Sequence, residues 1–349
     1  MGKNTRKILI GNTPVGGGSP ITIQSMTNTK TTDVAATVRQ ILELEREGCD
    51  IVRVAVPDER AASCLRDIKK GISIPLVADI HFDYRLAIAA VDAGADALRI
   101  NPGNIGSTER LARVVRAAAA RGIPIRVGIN GGSLEKDILG KYKAPCAEAL
   151  VESALRNVRL IEGMNYYNMK LSLKASDVLT TIEAYRLISQ KVDYPLHVGV
   201  TEAGTFLSGT VKSAIGIGSL LMEGIGDTIR VSLTDRPVRE VEVGREILKS
   251  LGLYHKASVD IISCPTCGRC GINLVELADR VTDRVKDVNK PLKIAIMGCA
   301  VNGPGEAREA DIGIAGGSGK GIVFKKGKII RTVREQDLLE ALMEEIDKY

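Results

Sequence analysis

Short runs of β-branched and other apolar residues recur along most of the chain, and longer stretches with helical spacing separate them. Eight such runs begin at intervals of roughly 22 to 44 residues. They are ITIQSM from Ile21, IVRVAV from Ile51, PLVADI from Pro75, ALRINP from Ala97, PIRVGIN from Pro124, NMKLSL from Asn168, PLHVGV from Pro195 and TIRVSL from Thr228. Each run has the length and composition of a buried strand.

The intervening segments predict helices. DVAATVRQILELEREG and STERLARVVRAAAARG place apolar residues at helical spacing and end in glycine, as helices often do. Eight strands that alternate with helices predict a (β/α)8 TIM-type barrel. An open doubly wound sheet is the competing architecture, but its glycine-rich dinucleotide turn is not found after the first run. KILIGNTPVGGGSP, before the first run, predicts a small hairpin that closes the barrel bottom.

The repeat stops near residue 252, which predicts a barrel unit over 1–252 and a second, smaller α+β unit over 253–349. Within the second unit we expect a short strand, a helix at NLVELADRVTDRVKDV and a strand at LKIAIMGCA. A glycine-rich stretch, a β-pair at GIVFKKGKIIRTV and a last helix at EQDLLEALMEEIDKY follow.

Composition narrows the classes of function. The formal net charge is +6, no long block of lysine and arginine appears, and the chain has no Trp and three Phe. A mild positive charge favours an anionic ligand over a surface that coats DNA, and scarce aromatic rings argue against a platform that stacks single-stranded nucleic acid. The first residues lack an apolar signal core and no run of about 18 apolar residues follows, so we expect a cytosolic protein that is not inserted in a membrane.

Polar side chains gather where the predicted strands end, which in such a barrel is where chemistry takes place. They are Arg53, Asp79, His81, Arg99, Asn101, Arg126, Asn130, Ser172, Lys174, Glu202, Arg230 and Ser232. Four arginines and a lysine on one rim predict a site for a multiply charged anion such as a diphosphate. The alternative is that some of these cations pair with Asp79, Glu202 or helix carboxylates.

Two of these polar residues allow two interpretations each. His81 is either a substrate contact or a structural hydrogen-bonding residue. Glu202 is either an acid–base group or an ion-pair partner of Lys174 or Arg230. His197, inside PLHVGV, is expected in the core.

The segment SCPTCGRCGINL places Cys264, Cys267 and Cys270 within seven positions, and Cys299 follows in a glycine-rich stretch. Clustered cysteines in a reducing cytosol favour metal ligation over disulfides. A CxxC turn directs two thiolates at one ion or cluster. Spacing alone leaves a four-thiolate zinc site, an iron–sulfur cluster and inert cysteines open.

SCPTCGR followed by IMGCAVNGPGE resembles the signature of the 4-hydroxy-3-methylbut-2-enyl diphosphate synthase family. QSMTNTKTTD, ADIHFD, LRINPGNIG, KLSLKASD, GVTEAG and RVSLTD are similar to the same family, so the resemblance covers essentially the whole chain. It implies the compact bacterial type, in which a barrel binds the cyclic diphosphate and a smaller domain carries one [4Fe–4S] cluster.

The resemblance also implies residue roles. The cluster ligands fall on Cys264, Cys267, Cys299 and Glu306, whereas Cys270 departs from the family's usual pattern. A carboxylate ligand is held less firmly than a thiolate, so Glu306 can leave and open one iron to substrate. The inferred substrate contacts are Arg53, His81, Arg99, Arg126, Asn130, Lys174, Arg230 and Ser232, and Glu202 orients the substrate's hydroxyl or assists proton transfer.

The implied reaction is the two-electron reductive dehydroxylation and ring opening of 2-C-methyl-D-erythritol 2,4-cyclodiphosphate to (E)-4-hydroxy-3-methylbut-2-enyl diphosphate. The implied electron donor is ferredoxin or flavodoxin, and the implied assembly is a homodimer in which one subunit's cluster domain covers the other's barrel mouth. Two other classes remain. One is a zinc-stapled barrel that acts on another phosphorylated metabolite, such as a pterin-type synthase. The other is a basic nucleic-acid-binding protein with a cysteine knuckle.

Overall fold

The structure, a computed structural model, describes residues 4–299, 305, 307–317 and 319–349. The chain divides into two compact units, Met1–Tyr254 and His255–Tyr349. Of the helices in these ranges, none combines the length and apolar character needed to cross a membrane.

The first unit is the predicted TIM-type barrel. Its parallel strands are β3 (Thr22–Met26), β4 (Ile51–Ala55), β5 (Leu76–Asp79), β6 (Ala97–Ile100), β7 (Ile125–Asn130), β8 (Met169–Lys174), β9 (His197–Val198) and β10 (Thr228–Ile229). They pair in the order β8-β7-β6-β5-β4-β3-β10-β9, and a parallel bridge between Leu171 and Leu196 closes the ring. Seven of these eight strands fall inside the predicted runs, and β8 extends one residue past its run, to Lys174.

Helices cover the outside of the barrel. They are α1 (Val34–Glu47), α2 (Glu59–Lys70), α3 (Tyr84–Asp92), α4 (Thr108–Arg121), α5 (Lys136–Tyr142), α6 (Ala147–Glu162), α7 (Val178–Ser189), α8 (Phe206–Met222) and α9 (Pro237–Ser250). The two helix patterns quoted from the sequence are confirmed, because their first and last residues are the residues that cap α1 and α4. Asp33 and Ser107 accept hydrogen bonds from the first turns, and Gly48 and Gly122 end the helices with left-handed backbones.

The predicted hairpin is formed by β1 (Ile8–Ile10) and β2 (Thr13–Val15). Ile10 and Val15 pack against Ile51 and Ala97, the first residues of β4 and β6. The hairpin therefore covers the amino-terminal end of the barrel strands, as the sequence predicts.

The second unit contains β11 (Val259–Ser263), α10 (Leu274–Val285), β12 (Leu292–Met297), β13 (Ile312–Gly317), β14 (Lys320–Lys325), β15 (Lys328–Arg334) and α11 (Leu338–Asp347). The sheet order is β11-β12-β13-β14-β15. The first three strands are parallel and the last two pairings are antiparallel. β13 lies where the sequence predicts only a glycine-rich stretch.

Candidate active site

Basic side chains fill much of the barrel interior. Arg53, Arg99, Arg126, Lys170 and Lys174 lie on β4, β6, β7 and β8, and each is less than 9 % exposed. The neighbouring positions on these strands, such as Val52 and Leu98, belong to the apolar core. Side chains alternate between the two faces of a strand, so one face packs with the apolar core while cations occupy the other. Barrel interiors are usually packed with branched apolar residues, so this one is built to hold charge.

Asp79 is the carboxylate nearest to several of these cations. Arg99 Nη1 donates to its Oδ1 at 3.1 Å, and its Oδ2 lies 3.7 Å from Arg53 Nε and 3.5 Å from His81 Nε2. Burial by itself would raise the pKa of Asp79, but Arg53, His81 and Arg99 outweigh burial and hold that pKa well below its usual range. Asp79 is therefore a carboxylate anion that compensates part of the interior charge.

A second carboxylate comes from a helix. Arg230 follows β10 directly, and its Nη2 lies 3.5 Å from both carboxylate oxygens of Glu240 on α9. Glu240 also accepts hydrogen bonds from Ser25 Oγ at 3.1 Å and from the backbone N–H of Leu233 at 3.0 Å. The alternative of pairing with helix carboxylates therefore applies to Arg230.

Cations outnumber carboxylates in this interior. We call Arg53, Arg99, Arg126, Lys174 and Arg230 the inner cations. In the described part of the chain, Asp79 and Glu240 are the carboxylates that pair with members of this set. Burial, together with the neighbouring cations Arg230 and Arg99, lowers the pKa of Arg53 to about 10 despite the attraction of Asp79. Burial and neighbouring cations also lower the pKa values of Arg126 and Lys174. The interior therefore has more positive charge than its carboxylates compensate, and it suits a multiply charged anion.

Some of the predicted cations lie before the carboxyl ends of their strands. Arg126 is the second of the six residues of β7, not its last, and is 3 % exposed. Arg126 therefore lies deeper in the barrel than the strand end at which the sequence places it, because a long side chain on an inward-facing strand position fills the interior. Lys174, in contrast, is the last residue of β8, and Arg230 directly follows β10. Asn130 does end its strand, and Ser232 follows β10 and is half-buried.

Glu202 and His81 are the more accessible predicted residues. Glu202 follows β9, is exposed and has a left-handed backbone with φ of 52°. Among the described residues, no ion pair joins Glu202 to Lys174 or to Arg230. Arg230 pairs with Glu240 instead. The His81 side chain is 57 % exposed beside Asp79. His197 is fully buried, and its Nδ1 lies 2.6 Å from Thr228 Oγ1, which confirms its place in the core.

Two interior residues are absent from the sequence predictions. Lys170 is 1 % exposed, and Gln24 Oε1 accepts from Arg126 Nη1 at 3.5 Å. The signal for Lys170 is its alternation with Ser172 and Lys174 on one face of NMKLSLK, between apolar residues on the other. Gln24 lies inside an apolar run and has no comparable signal.

In the second unit, the fold brings cysteines to one end of the sheet. Cys264 directly follows β11 and Cys299 follows β12 after one residue, and these strands are parallel neighbours. The backbone N–H of Gly298 donates to Cys264 Sγ at 3.2 Å, and the N–H of Cys270 donates to the carbonyl oxygen of Cys267 at 2.9 Å. An N–H directed at sulfur stabilises the thiolate form that ligates metals.

The Cys270 thiol packs against Gly298. A Cβ built on Gly298 would lie 2.5 Å from Cys270 Sγ, so this thiol fills the space that a side chain at position 298 would need. Cys267, in contrast, is exposed.

The chemistry of the cysteines fits an iron–sulfur centre, because thiolates are the usual ligands of such clusters. Within residues 4–299, 305, 307–317 and 319–349, no three histidine, cysteine or carboxylate residues are gathered at one metal position. Glu306, the predicted fourth ligand, lies outside the described residues. The ligand set remains a prediction.

The fold and the interior charge define a class: a (β/α)8-barrel enzyme suited to an anionic substrate, continued by a cysteine-bearing mixed-sheet unit. The family is defined by sequence models. The GcpE TIM-barrel domain matches residues 5–245 and the GcpE protein C-terminal domain matches residues 260–348, so the chain belongs to the GcpE family. The resemblance seen in the sequence is confirmed.

Curated relatives match over nearly the full length. A protein of Caldanaerobacter subterraneus subsp. tengcongensis named 4-hydroxy-3-methylbut-2-en-1-yl diphosphate synthase (flavodoxin) is 63% identical over 348 residues, which covers 100% of this chain and 98% of the relative. A protein of the same name from Clostridium acetobutylicum is 61% identical and covers 98% of both chains.

Solved structures share the barrel. Type I 3-dehydroquinate dehydratase from Clostridium difficile is 15% identical, covers 71% of this chain and 98% of its own, and has a TM-score of 0.51. Dihydropteroate synthase from Yersinia pestis is 12% identical, covers 70% and 98%, and has a TM-score of 0.50. At such low identity the likeness shows the fold alone.

Proposed function

We propose that this chain is a cytosolic enzyme that converts 2-C-methyl-D-erythritol 2,4-cyclodiphosphate to (E)-4-hydroxy-3-methylbut-2-enyl diphosphate. Flavodoxin, the donor in the names of the relatives, is the proposed electron source, with ferredoxin as the alternative. The observation that carries the proposal is the excess of buried inner cations over paired carboxylates. Such an excess is costly in an empty cavity and is offset when a diphosphate enters.

The inner cations Arg53, Arg99, Arg126, Lys174 and Arg230 hold the diphosphate in this proposal, and His81, Asn130 and Ser232 bind the substrate from positions nearer the strand ends. Arginine offers paired donors that match phosphate oxygens. The ion pairs of Asp79 and Glu240 orient Arg99 and Arg230 before substrate arrives. Orientation of this kind lowers the cost of binding.

A [4Fe–4S] cluster held by Cys264, Cys267, Cys299 and Glu306 would supply electrons one at a time. The Gly298 N–H donates to Cys264 Sγ, the kind of hydrogen bond that the sulfurs of such clusters accept. Cleavage of the ring carbon–oxygen bond to phosphate and loss of the substrate hydroxyl as water, with formation of the carbon–carbon double bond, together consume two electrons and one proton. Glu202 orients this hydroxyl or assists the transfer of the proton, and its exposure lets it exchange protons with solvent.

We also propose a homodimer, in which one subunit's cluster domain covers the other's barrel mouth. An apolar face on the barrel unit supports pairing of two chains: α8 exposes Leu207, Val211, Ile215 and Met222, and a groove of about 710 Å³ lies between α8 and α9. A contiguous apolar patch on a helix surface is typical of a protein interface.

Mixing two inactive variants tests this arrangement. Arg230→Leu is designed to weaken substrate binding, so that its barrel stays almost empty when the substrate concentration is kept far below the dissociation constant of the variant. Cys267→Ser is designed to remove the cluster. If each site is shared between chains, mixed dimers regain about a quarter of wild-type activity per chain, because half of a random mixture is heterodimeric and one of its two sites is intact. No recovery after exchange of subunits would place each site within one chain.

The function itself is tested on anaerobically purified protein. We expect a brown protein with iron and sulfide, and product formation from the cyclic diphosphate with reduced flavodoxin. A colourless zinc protein that leaves the cyclic diphosphate unchanged would contradict the proposal and favour the zinc-stapled barrel.

The ligand set is tested by single substitutions. Cys264→Ser, Cys267→Ser and Cys299→Ser should abolish brown absorbance and activity, whereas Cys270→Ser, whose thiol packs against Gly298, should keep both. Iron content and visible spectra are the measurements. Loss of iron from Cys270→Ser alone would refute the set.

A further inference from the structure

Lys170 is a fully buried lysine to which the proposed chemistry assigns no role. It is the second residue of β8, it pairs in register with Arg126 of β7, and it is 1 % exposed. Among the described residues, its Nζ has no hydrogen-bond partner. An ammonium group without a partner in such a place is costly, so the position requires either neutralisation or a ligand.

The groups around Lys170 disfavour its charged form. Burial is the largest influence, followed by Arg126 of β7 and Arg53 of β4, and together they lower the pKa of Lys170 well below its ordinary value. Asp227, just before β10, acts in the opposite direction, but its carboxylate already accepts from Thr5 Oγ1 at 2.7 Å and from the Leu196 N–H at 2.8 Å.

Two further titratable groups share this interior. Burial, Arg126, Lys174 and Lys170 lower the pKa of His197 on β9, which therefore stays neutral and adds no charge. Lys174 lies four residues further along β8, and burial and nearby arginines lower its pKa as well. The cations near Lys170 thus oppose one more positive charge in this interior.

A diphosphate reverses this balance. The cyclic diphosphate carries two negative charges at neutral pH and, because each phosphorus bears a single acidic oxygen, it does not titrate there. Once it lies among the inner cations, the field at Lys170 changes from repulsive to attractive for a proton. We propose that Lys170 is a charge-switching residue of the anion site, a neutral amine in the empty barrel that takes up a proton when the cyclic diphosphate binds.

This inference rests on the proposed function, since it takes that substrate as the ligand. Lys170 acts here as a positioning residue that supplies charge beneath the ligand, not as a catalytic residue. Because binding takes up a proton, substrate affinity should fall as pH rises between the pKa of Lys170 in the empty protein and its higher pKa in the complex. The slope should approach tenfold per pH unit for this proton.

Isothermal titration calorimetry of the holoprotein with the cyclic diphosphate, in the absence of an electron donor, tests the proposal. The titration is repeated in buffers of different ionisation enthalpy, and the dependence of the observed heat on that enthalpy gives the number of protons taken up. Wild type should take up about one proton more than Lys170→Met, which removes the amine but keeps a flexible chain of similar size.

Lys191→Met is the matched control, since Lys191 is exposed on the same unit, and it should behave as wild type. Any proton that Lys174 takes up is counted in both wild type and Lys170→Met. The readout is therefore the difference in proton uptake between these two proteins. Lys170→Gln provides a second test of the same loss if the methionine variant folds poorly.

The outcomes separate this inference from the function on which it rests. Equal proton uptake in wild type and both Lys170 variants would overturn the charge switch while leaving the substrate assignment intact. Failure of wild type to bind the cyclic diphosphate would overturn both.

Discussion

Asp79 offers the most direct perturbation of the charge balance inside the barrel. It is 3 % exposed and lies 3.1 Å from Arg99 Nη1 and 3.7 Å from Arg53 Nε. Asp79→Asn keeps the size of the side chain and removes its charge, which leaves both guanidinium groups without their shared anion. Removing one partner of a buried ion pair costs about 3–5 kcal/mol. For a unit of this size that loss lowers Tm by roughly 6–20 °C, at about 2–4 °C per kcal/mol.

The same carboxylate gives a pH dependence of known sign. The pKa of Asp79 in the folded protein is depressed below its value in the unfolded chain, so its contribution to stability is present above about pH 4. That contribution is lost as pH falls toward the folded-state pKa. The difference in stability between wild type and Asp79→Asn should therefore be largest near neutral pH and should narrow below about pH 4.

Thermal unfolding followed by far-ultraviolet circular dichroism is the appropriate assay, because the chain contains no Trp. Asp193→Asn is the matched control. Its carboxylate pairs with Arg6 at 2.8 Å on the surface, with side-chain exposures of 53% and 42%. An exposed pair of this kind contributes about 0–1 kcal/mol, so the control should lose little. If Asp79→Asn melts within 2 °C of wild type, or no more than ~2 °C below the control, the buried carboxylate does not compensate the inner cations and the reasoning is wrong.

Further substitutions test the second unit and the two predicted carboxylates. A Cβ at position 313 would lie 2.1 Å from the Phe324 ring, so Gly313→Ala should destabilise the second unit by about 1–3 kcal/mol in urea unfolding. Gly317→Ala is the control, because a Cβ at position 317 on the same strand meets open space and should leave the stability unchanged. Equal stabilities of the two variants would contradict the packing of Phe324 against Gly313. Glu202→Gln should retain iron and normal spectra but lose turnover by ~10²-fold or more in single-turnover assays, the usual contribution of a positioned acid–base group. Glu306→Gln should instead alter the iron content or the spin-resonance signal, because an amide binds iron more weakly than a carboxylate. The opposite pattern for these two variants would reverse their assignments.

The barrel could be predicted from the sequence because its signals are local and repeated. Each strand is a short apolar run, and caps such as Asp33 and Gly122 mark the helices beside some of them. Eight repetitions of this pattern leave few architectures. The first-unit helix α5 lacks such support. It is seven residues long and its preceding residue, Glu135, forms no side-chain cap, so the sequence offers little to mark it.

β13 illustrates a signal that points the wrong way. Gly313, Gly316 and Gly317 make its sequence resemble a loop, since glycine is disfavoured in strands. Two of these glycines are required by packing: Phe324 covers Gly313, and the side chain of Ile272 lies against Gly316. The contacts that make glycine necessary come from distant segments, so they are invisible to local reasoning.

The sequence predicted which residue types form the site better than it predicted how deep in the barrel they lie. Strand-end reasoning selected Arg53, Arg99 and Arg230, all of which the fold brings to the barrel interior. It did not select Glu240, which lies on α9 and reaches Arg230 only because the helix packs beside β10 and β3. Partners supplied by a different layer of the fold need tertiary structure to be found.

The central claim is that the inner cations form the diphosphate site, and equilibrium binding of the cyclic diphosphate to the holoprotein tests it most directly. Arg126→Leu and Arg230→Leu should each weaken binding by ~1.5–3 kcal/mol, or roughly ten- to 150-fold, with iron content unchanged. Arg121→Leu, at the exposed end of α4, should bind as wild type. Unchanged affinity in both interior variants would place the anion elsewhere and contradict the account.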